Sequence, residues 1–335
     1  MNEVEIIATG SYVPERIVTN KELSEFVDTN DEWIRSRTGI SERRVSINEN
    51  TSDIAAKAAL NALKSSNLSA EDIDLIIVAT VTPDCYTPST ACIVQEKIGA
   101  SKATCFDISA ACSGFIFGLN IASQFIKTGA VNNALVIGAE TLSKILNWND
   151  RGTCILFGDG AGAAIVRKSE KQGIISFHTG SDGTGGKFLS CTAAPLKINN
   201  EYFNEKLKGS YENLIHEELF LSMEGKEVFK FAVRAMNETI KELLKSNNLT
   251  IDDVDYVIPH QANLRIIEHV GKKLNIDKNK FYVNLHKYGN TSAASIAIAL
   301  DEANKSNLIK KEDKLILVGF GGGLTWGGTL IKWAI

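Results

Sequence analysis

Two stretches of the chain follow one plan at nearly equal spacing, and this repetition constrains the fold more than any other feature. Asp74-Leu-Ile-Ile-Val-Ala79 has the pattern of Asp255-Tyr-Val-Ile-Pro-His260, and Ala134-Leu-Val-Ile-Gly138 that of Leu315-Ile-Leu-Val-Gly319. Between them, Cys112 and Asn290 each open an apolar run rich in small residues. Cys112 follows Asp74 by 38 residues and Asn290 follows Asp255 by 35; Gly138 and Gly319 lie a further 26 and 29 residues on. Near-equal register points to two copies of one α/β unit in tandem, 1–172 and 173–335, the alternative being chance likeness of βα units. If the copies pack about a pseudo-two-fold axis, the starts of their central helices face each other and Cys112 meets Asn290.

Composition narrows the class. At 335 residues, 44% hydrophobic and 23% charged, the chain is an ordinary soluble globular protein of one large or two medium domains. A formal net charge of −4 gives no overall attraction to nucleic acid or anionic membrane, so an acidic partner must be met by a local basic patch. The six cysteines (Cys85, Cys92, Cys105, Cys112, Cys154 and Cys191) show no C-x-x-C spacing and suit a reducing cytosol. The first ten residues carry acids and no long apolar run, so they read as a strand and not a secretory signal. Ile108–Ile126 approaches membrane-span length but contains Ser109, Ser113, Asn120 and Gln124, and reads as a helix buried in protein.

Local patterns place the elements. Glu3–Ala8 alternates as a strand, Thr19 caps a first helical turn, and Asp31–Gly39 continues helically into a charged exit, Ser41–Arg44. Thr51 or Ser52 caps an amphipathic helix, Ile54–Lys64; Ile73–Ala79 is the continuous apolar run of a strand covered on both faces. Helix Ala91–Ile98, strand Thr104–Ile108, the helix after Cys112, and strands Ala134–Ala139 and Ala161–Val166 follow.

Chemistry concentrates at three places. Cys112 sits at a strand-to-helix turn, where free N–H groups and the helix dipole favour thiolate and lower a pKa from about 8.5. Its small neighbours (Ser109, Ala110, Ala111, Ser113, Gly114) leave room for a bulky thioester. A lone cysteine in an apolar stretch is more often a buried structural residue; partners elsewhere reverse that. His260 ends the second copy's first strand, where open α/β sheets carry their chemistry, whereas His178, His216, His269 and His286 read as structural. Phe320-Gly-Gly-Gly323-Leu-Thr-Trp-Gly-Gly328 lacks both the P-loop lysine and the dinucleotide spacing, and reads as a loop whose backbone N–H approaches a reacting carbonyl oxygen.

Asp31-Glu-Trp-Ile34, Arg37-Thr-Gly-Ile40, Ala110-Ala-Cys-Ser-Gly-Phe115, Asp150-Arg-Gly-Thr153, Phe157-Gly-Asp-Gly-Ala-Gly-Ala163, Pro259-His-Gln-Ala-Asn-Leu-Arg265, Gly289-Asn-Thr-Ser-Ala-Ala-Ser295 and Phe320-Gly-Gly-Gly-Leu-Thr-Trp-Gly327 occur in this order. With these motifs the chain resembles, over essentially its whole length, the β-ketoacyl-[acyl-carrier-protein] synthase III family, the initiating condensing enzymes of type II fatty acid synthesis. The resemblance implies a thiolase-like α/β fold of two pseudo-symmetric layered halves, α-β-α-β-α. It implies a triad of Cys112, His260 and Asn290, with an oxyanion held by the N–H groups of Cys112 and Gly322. An acyl-CoA would load Cys112. Malonyl-acyl-carrier protein would then decarboxylate against His260 and Asn290, giving 3-oxoacyl-acyl-carrier protein, CoA and CO₂ without metal or redox cofactor. Asn290 separates this family from elongating synthases, which use two histidines. An asparagine at a helix start is otherwise an N-cap.

The resemblance further implies CoA contacts at Trp33, Arg37, Arg151 and Asn263, and a carrier-protein patch of Lys230, Arg265, Lys272 and Lys273. For each, the alternative is a solvated helix face. It implies a cytoplasmic homodimer, with no nucleic-acid or membrane partner, in which Thr87 reaches the partner's acyl pocket and, lacking a ring, admits primers longer than acetyl. Two features depart from the family. Lys187–Ser222 is roughly fifteen residues long in excess and reads as a cover for the tunnel mouth, and Glu224 stands where a neutral residue is expected. The long connection keeps open a specialised acyltransferase with another primer or acceptor; an intact Cys112, His260 and Asn290 argues against a non-catalytic scaffold partner.

Overall fold

The computed structural model describes residues 2–191 and 220–335. Its strands are β1 (Glu3–Tyr12), β2 (Ile17–Thr19), β3 (Glu42–Arg44), β4 (Leu75–Ala79), β5 (Thr104–Ile108), β6 (Asn133–Glu140), β7 (Gly160–Ser169), β8 (Ile174–Ser181), β9 (Leu189–Ser190), β10 (Ser222–Met223), β11 (Tyr256–Pro259), β12 (Lys314–Gly321) and β13 (Thr325–Lys332). The helices are α1 (Asn20–Leu23), α2 (Asp31–Thr38), α3 (Thr51–Lys64), α4 (Thr90–Ile98), α5 (Gly114–Lys127), α6 (Arg151–Cys154), α7 (Gly225–Ser246), α8 (Leu264–Leu274), α9 (Leu285–Tyr288) and α10 (Ala294–Lys305). No described helix is long and apolar enough to cross a membrane.

Two sheets carry the molecule, in the orders β1-β7-β6-β4-β5 and β8-β13-β12-β11. In the first, β4 runs parallel to β5 and β6, and β7 antiparallel to β1 and β6. In the second, β11 runs parallel to β12, and β13 antiparallel to β12 and β8. Matching acids start the equivalent strands: Asp74 Oδ2 accepts the Asn132 and Asn133 N–H groups at 2.8 and 3.0 Å, and Asp255 Oδ2 accepts that of Lys314 at 2.8 Å. Ahead of each acid, a capping box (Ser69 with Asp72, Thr250 with Asp253) closes a short 3₁₀ turn. The repeat visible in the sequence is thus a repeat of turn chemistry as well as of apolar pattern.

The continuous apolar strands are explained by cover on both faces. On β4, Leu75 and Ile77 pack toward α5, while Ile76 and Val78 pack toward α3 and α4. On β12, Leu315 and Leu317 join the same central layer, and Ile316 and Val318 pack with Phe231, Ile240 and Val270 of α7 and α8. Helices α5 and α10 lie between the sheets, so the layers run α-β-α-β-α. Helix α5 is apolar nearly all round for this reason: Phe115, Ile116, Leu119, Ala122 and Ile126 are all fully buried. Truncating Ile116 to Ala would cost about 2–5 kcal/mol.

Close approach of the halves depends on missing side chains. A Cβ on Gly138 of β6 would stand 2.2 Å from the Ala293 carbonyl oxygen, and one on Gly114 would meet Ala293 Cβ at 3.5 Å. The starts of α5 and α10 therefore come together beside β6.

Two local expectations differ. The cap of α3 is Asn50, whose N–H is taken by Asp53 at 2.8 Å, in place of Thr51 or Ser52; Thr51 is buried, 2.8 Å from the Thr141 hydroxyl. The charged exit Ser41–Arg44 contains strand β3, and Arg43 is fully buried, donating to the carbonyls of Val18 and Ile155 and to Asn20 Oδ1. Three fixed acceptors replace the water that its charge pattern had implied.

Candidate active site

The nucleophile arm is a strained turn. Ala111, one residue before Cys112, has φ +44°, a left-handed conformation costing about 1–3 kcal/mol in a residue with a Cβ. It is held from both halves: the Ser113 hydroxyl donates to Thr325 Oγ1 at 2.7 Å, and Thr325 donates to the Ala110 carbonyl at 3.0 Å. A short 3₁₀ turn, Ala111–Ser113, then leads into α5. Gly321 comes so close beneath it that a Cβ would stand 2.5 Å from the Cys112 nitrogen.

Asn290 is held by its backbone, which bonds to Leu156 and Gly158 at 2.8 and 3.0 Å. It is not the cap of α10, a position that falls to Ala293. Its Oδ1 accepts the Ser292 N–H at 2.8 Å, so Nδ2 is the end left over, with no partner among the described residues. Ser292 is itself left-handed, φ +48°, and donates to Glu140 at 3.0 Å.

His260 leaves β11 fully buried, with Nδ1 2.6 Å from Ser295 Oγ and its ring edge-on to Phe320 at 5.2 Å between centroids. Cys112, His260 and Asn290 line one cavity of about 130 Å³, and are 5%, 1% and 6% exposed. Leu189 and Met223, which pair across β9 and β10, line it too. The ends of the long connection are therefore pinned at the site, while residues 192–219, which the tunnel-cover expectation concerns, lie outside the described residues. Glu224 is exposed just before α7.

Burial sets the electrostatics. It pushes the Cys112 thiol up to about 12, with the Ser292 hydroxyl pulling down and the Glu140 charge adding to the rise. This corrects the sequence expectation of a lowered thiol: the helix start is present, but desolvation prevails. Burial likewise lowers His260 to about 3, so its imidazole is neutral near pH 7. Glu140, raised to about 7 by burial, accepts from Thr80, Val81, Thr82 and Ser292. Neither Glu140 nor Ser295 was singled out from sequence, although Ser295 closes the Gly289–Ser295 motif.

Asn263 also lines the cavity and caps α8 by accepting the Arg265 N–H at 2.9 Å, while its Nδ2 donates to the Arg37 carbonyl at 3.2 Å. Arg37 and Arg151 place their guanidinium carbons 5.9 and 4.9 Å from the Trp33 ring centre, and Arg151 also donates to the Asp28 carbonyl at 2.8 Å. Lys230, Arg265, Lys272 and Lys273 are exposed on α7 and α8; Lys230 pairs with Glu227 at 2.7 Å, and Arg265 lies 5.9 Å from the Phe229 ring. Gly322 follows β12, and a Cβ there would meet the Leu189 carbonyl oxygen at 3.0 Å. Thr87 is exposed beside Tyr86, which is 78% exposed, and neither lines the cavity of its own chain.

A buried cysteine, a neutral histidine and an asparagine amide thus face one cavity of this α-β-α-β-α fold. Residues 106–183 match the family described as 3-Oxoacyl-[acyl-carrier-protein (ACP)] synthase III, and residues 244–333 match its C-terminal region. The protein named beta-ketoacyl-[acyl-carrier-protein] synthase III of Clostridium novyi is 61% identical over 333 residues, covering 99% of this chain and 100% of that one. That of Clostridium acetobutylicum is 60% identical, covering 99% of each. The crystal structure of 3-oxoacyl-[acyl-carrier-protein] synthase III from Aquifex aeolicus superposes with a TM-score of 0.89 at 46% identity, covering 98% of this chain and 100% of that one. The chain belongs to the β-ketoacyl-[acyl-carrier-protein] synthase III family, and initiates condensation in fatty acid synthesis.

Proposed function

We propose that Cys112 attacks an acyl-CoA thioester, its proton passing in the net step to the departing CoA sulfur, and carries the acyl group as a thioester. The tetrahedral oxyanion is held by the backbone N–H groups of Cys112 and Gly322. Malonyl-acyl-carrier protein then enters. Its thioester oxygen accepts from His260 Nε2 and Asn290 Nδ2, CO₂ leaves, and the resulting enolate attacks the acyl-cysteine and releases the Cys112 thiolate, which is reprotonated. The steps balance without a metal or redox group. What supports this reading above all is that His260 Nε2 and Asn290 Nδ2, both without a partner among the described residues, belong to side chains lining the same cavity as Cys112.

In this reading the chain is two units, 1–172 bearing the nucleophile and 173–335 bearing His260 and Asn290. Trp33, Arg37 and Arg151 take the nucleotide end of CoA, and Asn263 joins that mouth to the cavity. Lys230, Arg265, Lys272 and Lys273 meet the acidic carrier protein in the cytoplasm. Strand β5 is the edge of its sheet, half-buried, and unpaired on its outer side among the described residues, which supports pairing with a second copy that brings Thr87 to the partner's pocket. Incubation with acetyl-, butyryl-, isobutyryl- and octanoyl-CoA, followed by peptide mass mapping, tests the assignment. Acyl adducts on Cys112 are expected, including primers longer than acetyl. Labelling at another cysteine would overturn the nucleophile, and an acetyl-only adduct the role of Thr87.

A further inference from the structure

A neutral imidazole has one N–H and one lone pair, so the position of its hydrogen decides whether Nε2 of His260 donates to an entering group or accepts from it. Nε2 is buried without a partner among the described residues, and Nδ1 lies 2.6 Å from Ser295 Oγ. Ser295 is 2% exposed in the first turn of α10, and among the described residues its hydroxyl has one other partner, the backbone N–H of Gln261 at 3.4 Å, which can only donate. Two arrangements follow. If Ser295 donates to Nδ1, its lone pair receives the Gln261 N–H, Nε2 carries the hydrogen, and only that hydrogen lacks a partner. If Nδ1–H donates to Ser295, both the serine hydrogen and the Nε2 lone pair are left unmet in a buried site. The first leaves fewer unmet groups and prevails.

Gln261 fixes the geometry that decides this. Its amide donates to the carbonyls of Pro259 and Tyr282 at 2.7 and 3.1 Å and accepts the Asn284 and Leu285 N–H groups at 3.0 and 3.2 Å. The loop after β11 is thereby locked, with the Gln261 N–H directed at Ser295.

We propose that Ser295 is a positioning residue that holds His260 in the Nε2–H tautomer, making it a hydrogen-bond donor to the thioester oxygen in decarboxylation and not a base toward Cys112. This rests on the reading of His260 given above. The test is ¹⁵N NMR of the histidine-labelled full chain, with the His260 signals assigned by their loss in His260→Ala. In the parent, Nε2 is expected to resonate as a protonated nitrogen and Nδ1 as a hydrogen-bonded acceptor. In Ser295→Ala, Nδ1 is expected to move toward the position of an unbonded imine nitrogen. Malonyl decarboxylation should fall about 10–100-fold, the scale on which partners that orient a histidine act, while acyl-enzyme formation stays within about threefold. A protonated Nδ1 in the parent, an unmoved Nδ1 in Ser295→Ala, or equal loss of both half-reactions overturns the role of Ser295. Undiminished decarboxylation by His260→Ala overturns the underlying reading of the site, whatever the resonances show.

Discussion

Cys112, His260 and Asn290 lie between the two sheets, none more than 6% exposed, whereas Arg37, Arg151, Lys230 and Arg265 stand at the surface. The buried group is over-determined: its turn is fastened by Ser113 and Thr325, its amide by Ser292, its imidazole by Ser295. The surface group is held loosely, by a ring contact, a carbonyl or one exposed ion pair. In the proposed function the contrast separates two tasks: groups assigned to meet charge as it develops are fixed in a dry site where each donor counts heavily, and groups assigned to gather substrate work in water where each counts little.

Substitutions at the two ends should therefore differ steeply. Gly321→Ala places a methyl 2.5 Å from the Cys112 nitrogen, so the turn bearing the proposed oxyanion donor must shift. Acyl-enzyme formation is expected to drop about 10²–10³-fold. A near-normal rate in pre-steady-state quench, with unchanged thermal melting, would show that the turn is not so constrained.

Burial also fixes a pH dependence. With Cys112 at about 12, the thiolate fraction climbs about tenfold per pH unit, so its iodoacetamide rate should rise about a hundredfold from pH 7 to 9 without a plateau. A plateau below pH 8 would mean that the helix start outweighs desolvation. The same raised thiol helps the fold only while protonated: its contribution is full below the ordinary thiol pKa and fades as pH rises toward 12.

At the mouth, effects shrink. Trp33→Ala is expected to raise the KM for acyl-CoA about tenfold with little change in kcat, as loss of one stacking surface does. An unchanged KM would remove Trp33 from the CoA site. Arg265→Glu should weaken carrier-protein binding only severalfold at physiological salt, where screening acts over about 8 Å, and more at low salt. Binding indifferent to salt would count against a basic docking surface.

Much of the frame was legible because its signals are local. Continuous apolar runs such as Ile73–Ala79 announce strands covered on both faces, and Asp74 and Asp255 mark equivalent strand starts whose carboxylates cap neighbouring N–H groups. What stayed hidden depends on tertiary closure. The direction of the Cys112 shift turns on how completely the second half seals the turn. Arg43 reads as surface until Val18, Asn20 and Ile155 surround it. Asn50 outcompetes Thr51 as a cap because Thr51 is drawn toward Thr82 and Thr141. Ser295 and Glu140 are unremarkable letters until folding sets one against His260 and ties the other to Ser292.

The division of labour within the buried site is tested most directly by Asn290→Ala, with the two half-reactions followed separately. Transfer of labelled acyl groups from acyl-CoA to Cys112 is expected to continue within about threefold of the parent, while CO₂ release from malonyl-acyl-carrier protein falls about 10²–10³-fold. Equal loss of acyl transfer and decarboxylation, or undiminished CO₂ release, would contradict the assignment of Asn290 to the second step.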